Sequence, residues 1–285
     1  MGIDYVEDAP REIRQFGDEE SAWGGMTVAD VQHVAEIFNT PLTGSYNWDY
    51  RVADDRIQRL YELGKTLNWN GSLDVHWDQT PDWHEQTPVK PEFIDEFLAN
   101  ADWNGYPPFD AFSTERKLAF FKHDNAWSLS QFLHGEQGAL LVASQLASCA
   151  PSFNAKLYAA SQTFDEARHV EVFNRYIQTK VGLSYPVNQG LKSLLDKILT
   201  DERWDLKFIG MQIVLEGLAL AAFHIAMNDT DDPVLKELLY LVIRDEARHV
   251  TFGVNYLEEF VATLSEEEKE DRAQFAYEAC IVSRD

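Results

Sequence analysis

The sequence predicts an all-α protein, and three observations lead to this expectation. From position 113 onward, apolar residues recur at helical spacing through long segments with few breakers. No alternating strand pattern of comparable length interrupts them. The motif Asp165-Glu166-Ala167-Arg168-His169-Val170 recurs as Asp245-Glu246-Ala247-Arg248-His249-Val250, about 80 residues later. This repeat indicates two helical hairpins of one design.

The first part of the chain, residues 1–112, is mixed in character. Short helical patterns at 27–39, 52–68 and 91–101 alternate with polar, tryptophan-bearing stretches such as Leu67-Asn68-Trp69-Asn70. We therefore expect this region to add helices and loops to a core that is formed farther along the chain.

Five long segments follow, and turn-like residues separate them. The pieces at 149–152 and 228–233 each contain a proline among small or polar residues, as turns do. The whole chain, 1–285, is expected to form a single domain, with a four-helix core over 113–265 and a C-terminal helix over 266–285. The expected helices are 113–149, 153–181, 203–228, 233–262 and 266–282.

Charge and composition argue against several classes of protein. The chain has 48 Asp and Glu against 24 Lys and Arg, a formal charge of −24, which would repel nucleic acid and anionic membranes. The N-terminus lacks the regions of a signal peptide, and no apolar run approaches the roughly 20 residues of a membrane span. Cys149 and Cys280 belong to no CxxC pair. We expect a cytoplasmic protein with neither nucleic acid nor membrane as a partner.

Glutamates and histidines recur at a spacing that suits metal binding. On a helix, the two residues of a Glu-x-x-His pair lie on one face, close enough to bind the same ion. At roughly 1.5 Å per residue, the two glutamates of each hairpin return to the same height after the intervening turn. Four carboxylates and two imidazoles should therefore converge midway along the core. Each half supplies a Glu and, 30 residues later, a Glu-x-x-His: Glu136, Glu166 and His169, then Glu216, Glu246 and His249.

A buried cluster of this kind requires cations, because one unpaired buried carboxylate costs several kcal/mol. The inventory matches dinuclear carboxylate bundles, in which two helices give one Glu each and two give Glu-x-x-His. Mixed oxygen and nitrogen ligation suits iron or manganese better than thiol-loving metals, although ligand type leaves zinc open. The sequence thus predicts a dinuclear site whose six ligands are also the catalytic residues.

Four charged residues adjoin these ligands. Asp165 and Asp245 directly precede ligand glutamates, where a carboxylate can accept the second N–H of a ligand histidine and fix its tautomer. Arg168 and Arg248 can balance the two aspartates. An ordinary surface ion pair is the alternative interpretation, since either residue can face outward.

These residues resemble the ferritin-like di-iron oxygenase superfamily, and especially the hydroxylase subunits of bacterial multicomponent monooxygenases, whose ligand helices carry Asp-Glu-x-Arg-His twice. The resemblance covers 113–262. It implies a ferritin-like four-helix bundle core with additional N-terminal and C-terminal helices, and outer roles for both Asp-Arg pairs. It also implies that one metal is held by Glu136, Glu166 and His169 and the other by Glu216, Glu246 and His249, with some carboxylates bridging.

The sequence departs from its relatives at several positions. Leu220 replaces a threonine that the family commonly has one turn after the third glutamate, which argues against hydroxylation of the usual kind. Ribonucleotide reductase small subunits usually have Asp where Glu136 stands, and arylamine N-oxygenases have an extra histidine where Val242 stands. The chain is also short for a multicomponent hydroxylase, which favours a free-standing relative. Acyl desaturases and aldehyde oxygenases stay open.

A substrate cavity is expected beside the ligands, because a dry cavity suits the oxidation of an apolar molecule. Core packing is the alternative interpretation for the same residues. Phe173 and Gly253 both lie four residues after a ligand histidine, so the ring should form part of the cavity wall and the glycine should leave space. His134 and His224 have no Glu-x-x-His partner and are not expected to bind metal. The expected lining residues are Phe132, Ala139, Ala143, Phe173, Gln212, Leu220 and Phe223.

The sequence therefore predicts a non-haem di-iron oxidoreductase that activates O2 to hydroxylate, N-oxygenate or desaturate a small or medium organic substrate. Its cofactors would be two iron ions or a manganese–iron pair. Nothing in the chain resembles a flavin or nicotinamide fold, so an external reductase or ferredoxin should supply electrons. The alternative is a ferroxidase or metal-handling protein, or a radical protein like the ribonucleotide reductase small subunit. The oligomeric state stays open, a homodimer included.

Overall fold

The computed structural model describes residues 38–40, 42–52, 54–80 and 113–284. The expected patterns at 27–39 and 91–101 lie outside the described residues, except for 38 and 39, which are not helical. Seven helices dominate the described part of the chain. They are α1 (Asp55–Thr66), α2 (Thr114–Cys149), α3 (Phe153–Tyr176), α4 (Gln189–Thr200), α5 (Trp204–Asp229), α6 (Pro233–Thr263) and α7 (Glu266–Arg284).

The predicted all-α class is confirmed, and the core helices begin at capping residues. The Ser113 hydroxyl caps α2 and the Ser152 hydroxyl caps α3 by accepting backbone N–H groups of the first turn. The Asp232 carboxylate caps α6 in the same way, and Pro233 follows it at the start of the helix. These caps fix the turns between α2 and α3 and between α5 and α6.

The four core helices form two hairpins, in which α2 packs along α3 and α5 packs along α6. Helix α1 lies across α3 and α6. In each core helix, the spacing that recurs in the internal repeat places a ligand glutamate between two apolar layers. One layer contains Leu146, Tyr158, Phe208 and Phe252, and the other contains Leu129, Phe173, Phe223 and Leu238.

Helix α4 is not among the segments that the sequence predicted. It is only 12 residues long and buries Leu194, Leu195, Ile198 and Leu199. A short amphipathic pattern that follows a proline-containing loop is weak beside the long core segments, which is why it was missed. The helix packs against α2 and α7, so it covers one side of the first hairpin.

Two stretches of π-helix interrupt the regular geometry. Ile177–Val181 continues α3 and ends at Gly182, whose φ of 70° is the left-handed conformation that glycine favours. Phe208–Leu215 lies within α5 and directly precedes Glu216. Because a π turn holds an extra residue, it changes the direction in which the next side chain points. The 3.6-residue sequence pattern does not show such a change.

Helix α5 is long and apolar enough to span a membrane by length and composition, contrary to the expectation that no segment would be. It is nevertheless a helix of the core. Phe208, Met211 and Glu216 are buried among the other core helices. Its apolar character suits a central element in which Glu216 is the one carboxylate that reaches the candidate metal groups.

Candidate metal centre

The six residues that the sequence singled out meet at the middle of the four-helix core. This placement agrees with the prediction that the two glutamates of each hairpin lie at the same height along the core. None of the six side chains has more than 5% of its surface exposed. Helix α2 supplies Glu136, α3 supplies Glu166 and His169, α5 supplies Glu216, and α6 supplies Glu246 and His249.

The six side chains form two overlapping groups that could each hold a metal ion. Within each group, the potential ligand atoms all lie within 4.8 Å of one another. Glu166 and Glu246 belong to both groups, which is the position of bridging carboxylates. The first group is Glu136, Glu166, His169 and Glu246, and the second is Glu166, Glu216, Glu246 and His249.

Both imidazoles turn the same nitrogen toward the centre. His169 Nδ1 lies 3.0 Å from Glu136 Oε2 and 3.1 Å from Glu246 Oε1. His249 Nδ1 lies 3.1 Å from Glu166 Oε1. The Nδ1 atoms are therefore the ones that would bind metal, and the Nε2 atoms face away from the four glutamates.

The two aspartates lie against the outer nitrogens, and their arrangement is crossed. His249 Nε2 lies 3.3 Å from Asp165 Oδ2, and His169 Nε2 lies 3.3 Å from Asp245 Oδ2. Each aspartate thus accepts an N–H from the histidine of the other hairpin. This contact holds Nδ1 free to bind a cation.

The two arginines join these aspartates into a buried network. Arg168 donates to Asp165 Oδ1 at 2.5 Å and to Asp245 Oδ2 at 2.7 Å. Arg248 donates to Asp245 Oδ1 at 2.8 Å and to Asp165 Oδ2 at 2.9 Å. All four side chains are buried, so these are not the surface ion pairs of the alternative interpretation.

Trp69 adds a contact that the sequence did not predict. Its Nε1 donates to Asp245 Oδ2 at 2.6 Å, and its ring stacks near His169 and under the Arg168 guanidinium. Asn68 Oδ1 accepts from Arg168 at 2.6 Å. The polar, tryptophan-bearing stretch was visible in the sequence, but its distance from the repeat gave no sign that the two would meet.

Gln162 is a second residue that the sequence did not predict. It lies fully buried on α3, one turn before Glu166. Its Nε2 donates to Glu166 Oε1 at 3.0 Å and to Glu216 Oε1 at 2.8 Å. Its position one turn from a ligand was the only signal available, and that signal does not distinguish a polar contact from packing.

Electrostatics at the centre reflect crowded, buried carboxylates. Without a cation, burial raises the pKa of Glu136 and Glu216 well above the usual range, and neighbouring glutamates raise it further. Burial acts in the same direction on Glu166, but His249 and His169 outweigh it and lower the pKa of that carboxyl. Burial also opposes the charged imidazoles, yet the surrounding carboxylates raise the pKa of His169 and His249.

The donor set fits two divalent cations. Arg168 and Arg248 balance Asp165 and Asp245, which leaves four buried glutamates without a compensating fixed charge. Two divalent ions would balance four carboxylates. Several oxygens also have no hydrogen-bond partner among the described residues, as expected of oxygens that bind a cation. These atoms are Glu166 Oε2, Glu216 Oε2, Glu246 Oε1 and Glu246 Oε2.

A cavity of about 520 Å³ opens beside the carboxylates and reaches Glu136, Glu216 and Glu246. Its walls are mostly apolar, with small residues from α2 and α5. Asn188, at the start of α4, and Ser283, near the end of α7, also line it. The other lining residues include Trp127, Phe132, Gly135, Ala139, Leu191, Leu194, Leu215, Leu218, Ala219, Ala222, Phe223 and Val282.

Of the seven residues expected to line a cavity, three lie in the lining of this cavity and four lie outside it. Phe132, Ala139 and Phe223 line the cavity. Ala219, three residues after Glu216, lies in the lining, and Leu220 is outside it. The other three expected residues, which are fully buried and also outside the lining, are Ala143, Phe173 and Gln212.

Phe173 and Gly253 lie in surroundings that differ from those suggested by the sequence. The Phe173 ring lies behind the wall, 5.6 Å from the Phe223 ring and 6.0 Å from the Phe132 ring. Gly253 does not leave space, because a Cβ there would lie 2.5 Å from Gln212 Cβ. The glycine instead permits close packing of α6 against α5.

The two histidines that were not expected to bind metal lie outside both groups. His134 Nε2 lies 2.8 Å from the Tyr185 carbonyl oxygen. His224 Nδ1 lies 2.8 Å from the Leu220 carbonyl oxygen, and its side chain is exposed. Backbone contacts therefore account for both residues.

Comparison with known proteins bears on the fold. No protein-family model matches the sequence, and no curated protein matches it. Two solved structures are mutants of an R2-like ligand-binding oxidase with an aerobically reconstituted Mn/Fe cofactor. A tyrosine-to-phenylalanine mutant matches with a TM-score of 0.57 and 18% identity, over 81% of this chain and 82% of that chain. A valine-to-leucine mutant matches with a TM-score of 0.54 and 18% identity, over 81% and 82%.

These comparisons, with the four-helix core, assign this chain a ferritin-like fold. Both of these solved structures are R2-like ligand-binding oxidases. At this level of identity the likeness concerns the fold.

Proposed function

We propose that this chain is a non-haem dimetal oxidase that activates O2 and oxidises a small or medium organic substrate. The observation that carries this proposal is the contact between the cavity and the carboxylates. An apolar cavity of about 520 Å³ ends on Glu136, Glu216 and Glu246, so a substrate in it would lie directly beside the metals. The expected reactions are hydroxylation, N-oxygenation or desaturation.

The four glutamates and two histidines would hold two iron ions or a manganese–iron pair. When bound, these ions would supply electrons to dioxygen. Asp165 and Asp245 keep the histidine Nδ1 atoms free to bind, and Arg168 and Arg248 keep the aspartates charged. The Mn/Fe cofactor named for the structural neighbours supports a mixed-metal pair.

The rings of Phe132 and Phe223 pack edge to face, with centroids 4.8 Å apart, at one side of the cavity. An apolar wall of this kind limits the entry of water and favours an apolar substrate. Neither Ala219 nor Leu220 supplies the hydroxyl that related hydroxylases commonly have one turn after the third glutamate. The reaction is therefore not tied to hydroxylation.

The repeated Asp-Glu-Ala-Arg-His motif supports a relationship to the hydroxylase subunits of multicomponent monooxygenases. By analogy, an external reductase or ferredoxin would supply electrons. We also propose that residues 1–285 form one domain and act in the cytoplasm, without nucleic acid or membrane as a partner. A homodimer is compatible with this function.

The test begins with chelator-treated protein, loaded without oxygen with Fe(II) or with Mn(II) and Fe(II) together. Bound metal is counted, and O2 uptake is then measured with a reductant and a panel of small apolar substrates. An oxidase should take up O2 repeatedly and in proportion to the substrate consumed. Uptake that only follows the added Fe(II), whatever the substrate, would indicate a ferroxidase instead.

A further inference from the structure

Gln162 distinguishes the two metal positions. Its amide N–H groups reach one oxygen of Glu166 and one oxygen of Glu216, and its side chain is fully buried. Behind it, Gln212 Nε2 lies 3.5 Å from Gln162 Oε1. Two buried amides therefore stand in a row on the side of the centre that carries Glu216 and His249.

The internal repeat shows that the other side lacks this row. Counting 80 residues along the repeat, the counterpart of Gln162 is Val242, and the counterpart of Gln212 is Phe132. Val242 is buried in an apolar cluster, and Phe132 belongs to the cavity wall. Glu136 accordingly lies opposite apolar groups, where Glu216 accepts an amide N–H.

Glu136 and Glu216 each belong to only one of the two candidate metal groups, and the Gln162 amide makes their hydrogen bonding different. Glu216 Oε1 accepts from Gln162, and Glu216 Oε2 has no hydrogen-bond partner among the described residues. Fixing one oxygen holds the other in place as a metal ligand and withdraws charge from the carboxylate. No amide of this kind contacts Glu136 among the described residues; its Oε2 lies 3.0 Å from His169 Nδ1.

We propose that Gln162 is a positioning residue that orients Glu216 and thereby makes the metal position beside His249 different from the position beside His169. The inference rests on the proposed dimetal centre. It gives this chain a built-in reason to bind its two ions unequally, because the ligands repeat along the sequence but the residues behind them do not. Gln212 supports Gln162 from the far side.

The test uses Mn(II) binding, measured by equilibrium dialysis and by electron paramagnetic resonance of free Mn(II). His169→Ala leaves the position beside His249, and His249→Ala leaves the position beside His169. Adding Gln162→Met to His169→Ala should weaken Mn(II) binding by about 10–100-fold, as loss of an orienting partner does. Adding it to His249→Ala should change binding by less than about threefold.

Val242→Ala is the matched control, since it alters packing one turn before Glu246 without removing an amide. It should change neither position by more than about threefold. If circular dichroism shows that Gln162→Met is unfolded, Gln212→Leu tests the same pair of amides. It should weaken Mn(II) binding beside His249 by a smaller factor. Equal weakening at both positions, or none at either, would overturn the inference. A wild-type protein that binds neither Mn(II) nor Fe(II) would overturn the dimetal centre itself.

Discussion

At the scale of single residues, Glu166 and Glu246 differ from the other two glutamates, because each lies within reach of both metal positions. Glu246→Ala should therefore lower occupancy at both positions, whereas Glu216→Ala should mainly affect one. Metal analysis of reconstituted protein measures this as ions per chain. Full loading of Glu246→Ala with two ions would show that the glutamate is not a ligand.

Each aspartate contacts the histidine of the other hairpin, and not the histidine nearest to it in the sequence. A substitution of an aspartate should therefore affect the metal position of the other hairpin's histidine. Asp245 lies four residues before His249 but contacts His169. Asp245→Asn should therefore weaken binding beside His169 by about 10–100-fold and spare the position beside His249. The same single-histidine backgrounds resolve the two positions. Trp69→Phe, which removes one donor to Asp245, should have a smaller effect in the same direction; selective loss beside His249 would refute the crossing.

The sequence alone predicted the six candidate ligands and their four charged neighbours, because residues at a fixed spacing on a helix lie on the same face. Trp69 and Gln162 could not be predicted in this way. Trp69 approaches from a loop about 100 residues from Arg168, and no period connects them. For Gln162, the spacing was right but did not reveal that the amide meets a helix from the other hairpin.

At the scale of elements, the contact between α5 and α6 depends on Gly253. A Cβ there would meet Gln212 Cβ at 2.5 Å, an atom close to the backbone that cannot swing away. Gly253→Ala should therefore push the helices apart and destabilise the protein by about 1–3 kcal/mol, the usual cost of overpacking. Urea unfolding of metal-free protein measures the change in the free energy of unfolding.

Gly217→Ala provides the control, because a Cβ at that position has nothing within 4 Å. Helix propensity alone should make this substitution neutral or stabilising, by up to about 1 kcal/mol. A Gly253→Ala protein as stable as wild type would mean that α5 and α6 are less closely packed than the structure shows.

The long helices could be predicted from their periodicity and caps. Their observed ends fall within about two residues of the expected ones when the π turn Ile177–Val181 is counted with α3. Helix α4 and the π segments could not. The π segment before Glu216 bears on the predicted site, since it contains Gln212, which was expected in the cavity and lies outside its lining. Hydrogen-bond geometry of that kind leaves no mark in apolar periodicity.

At the scale of the whole molecule, the cavity and the core share one layer of aromatic rings. Phe223→Ala should enlarge the cavity, cost about 3–5 kcal/mol of stability, and shift substrate preference toward bulkier molecules. Phe252→Ala removes an equally buried ring from the other apolar layer, so it should lower stability without changing size preference. The measurement is the amount of product formed per O2 across a series of substrates of increasing size. Identical profiles for both variants would show that Phe223 does not contact the substrate.

Protons and metal ions compete for the centre, which makes stability depend on pH. Without metal, the pKa values of Glu136, Glu216, His169 and His249 are raised, so the folded state binds protons more tightly than the unfolded state. Their contribution to stability should fall as pH rises from about 5 to about 8. Bound metal displaces these protons, so loaded protein should lack this decline.

Urea unfolding at a series of pH values, with chelator or with Mn(II), checks both expectations. The lowered pKa of Glu166 acts only below about pH 4.5 and does not enter this window. Chelator-treated protein that becomes more stable as pH rises through the window would contradict the assigned pKa directions.

The crossed hydrogen bonds also mean that neither half of the repeat is self-sufficient. The α2–α3 hairpin carries a histidine whose outer nitrogen needs an aspartate from α6, and the α5–α6 hairpin has the reciprocal need. A single hairpin of this design would be complete only opposite a second copy, with each copy completing the other across a two-fold axis. Expressed separately, the two halves should therefore be partners in complementation: each metal-poor alone, and jointly able to restore the centre when mixed.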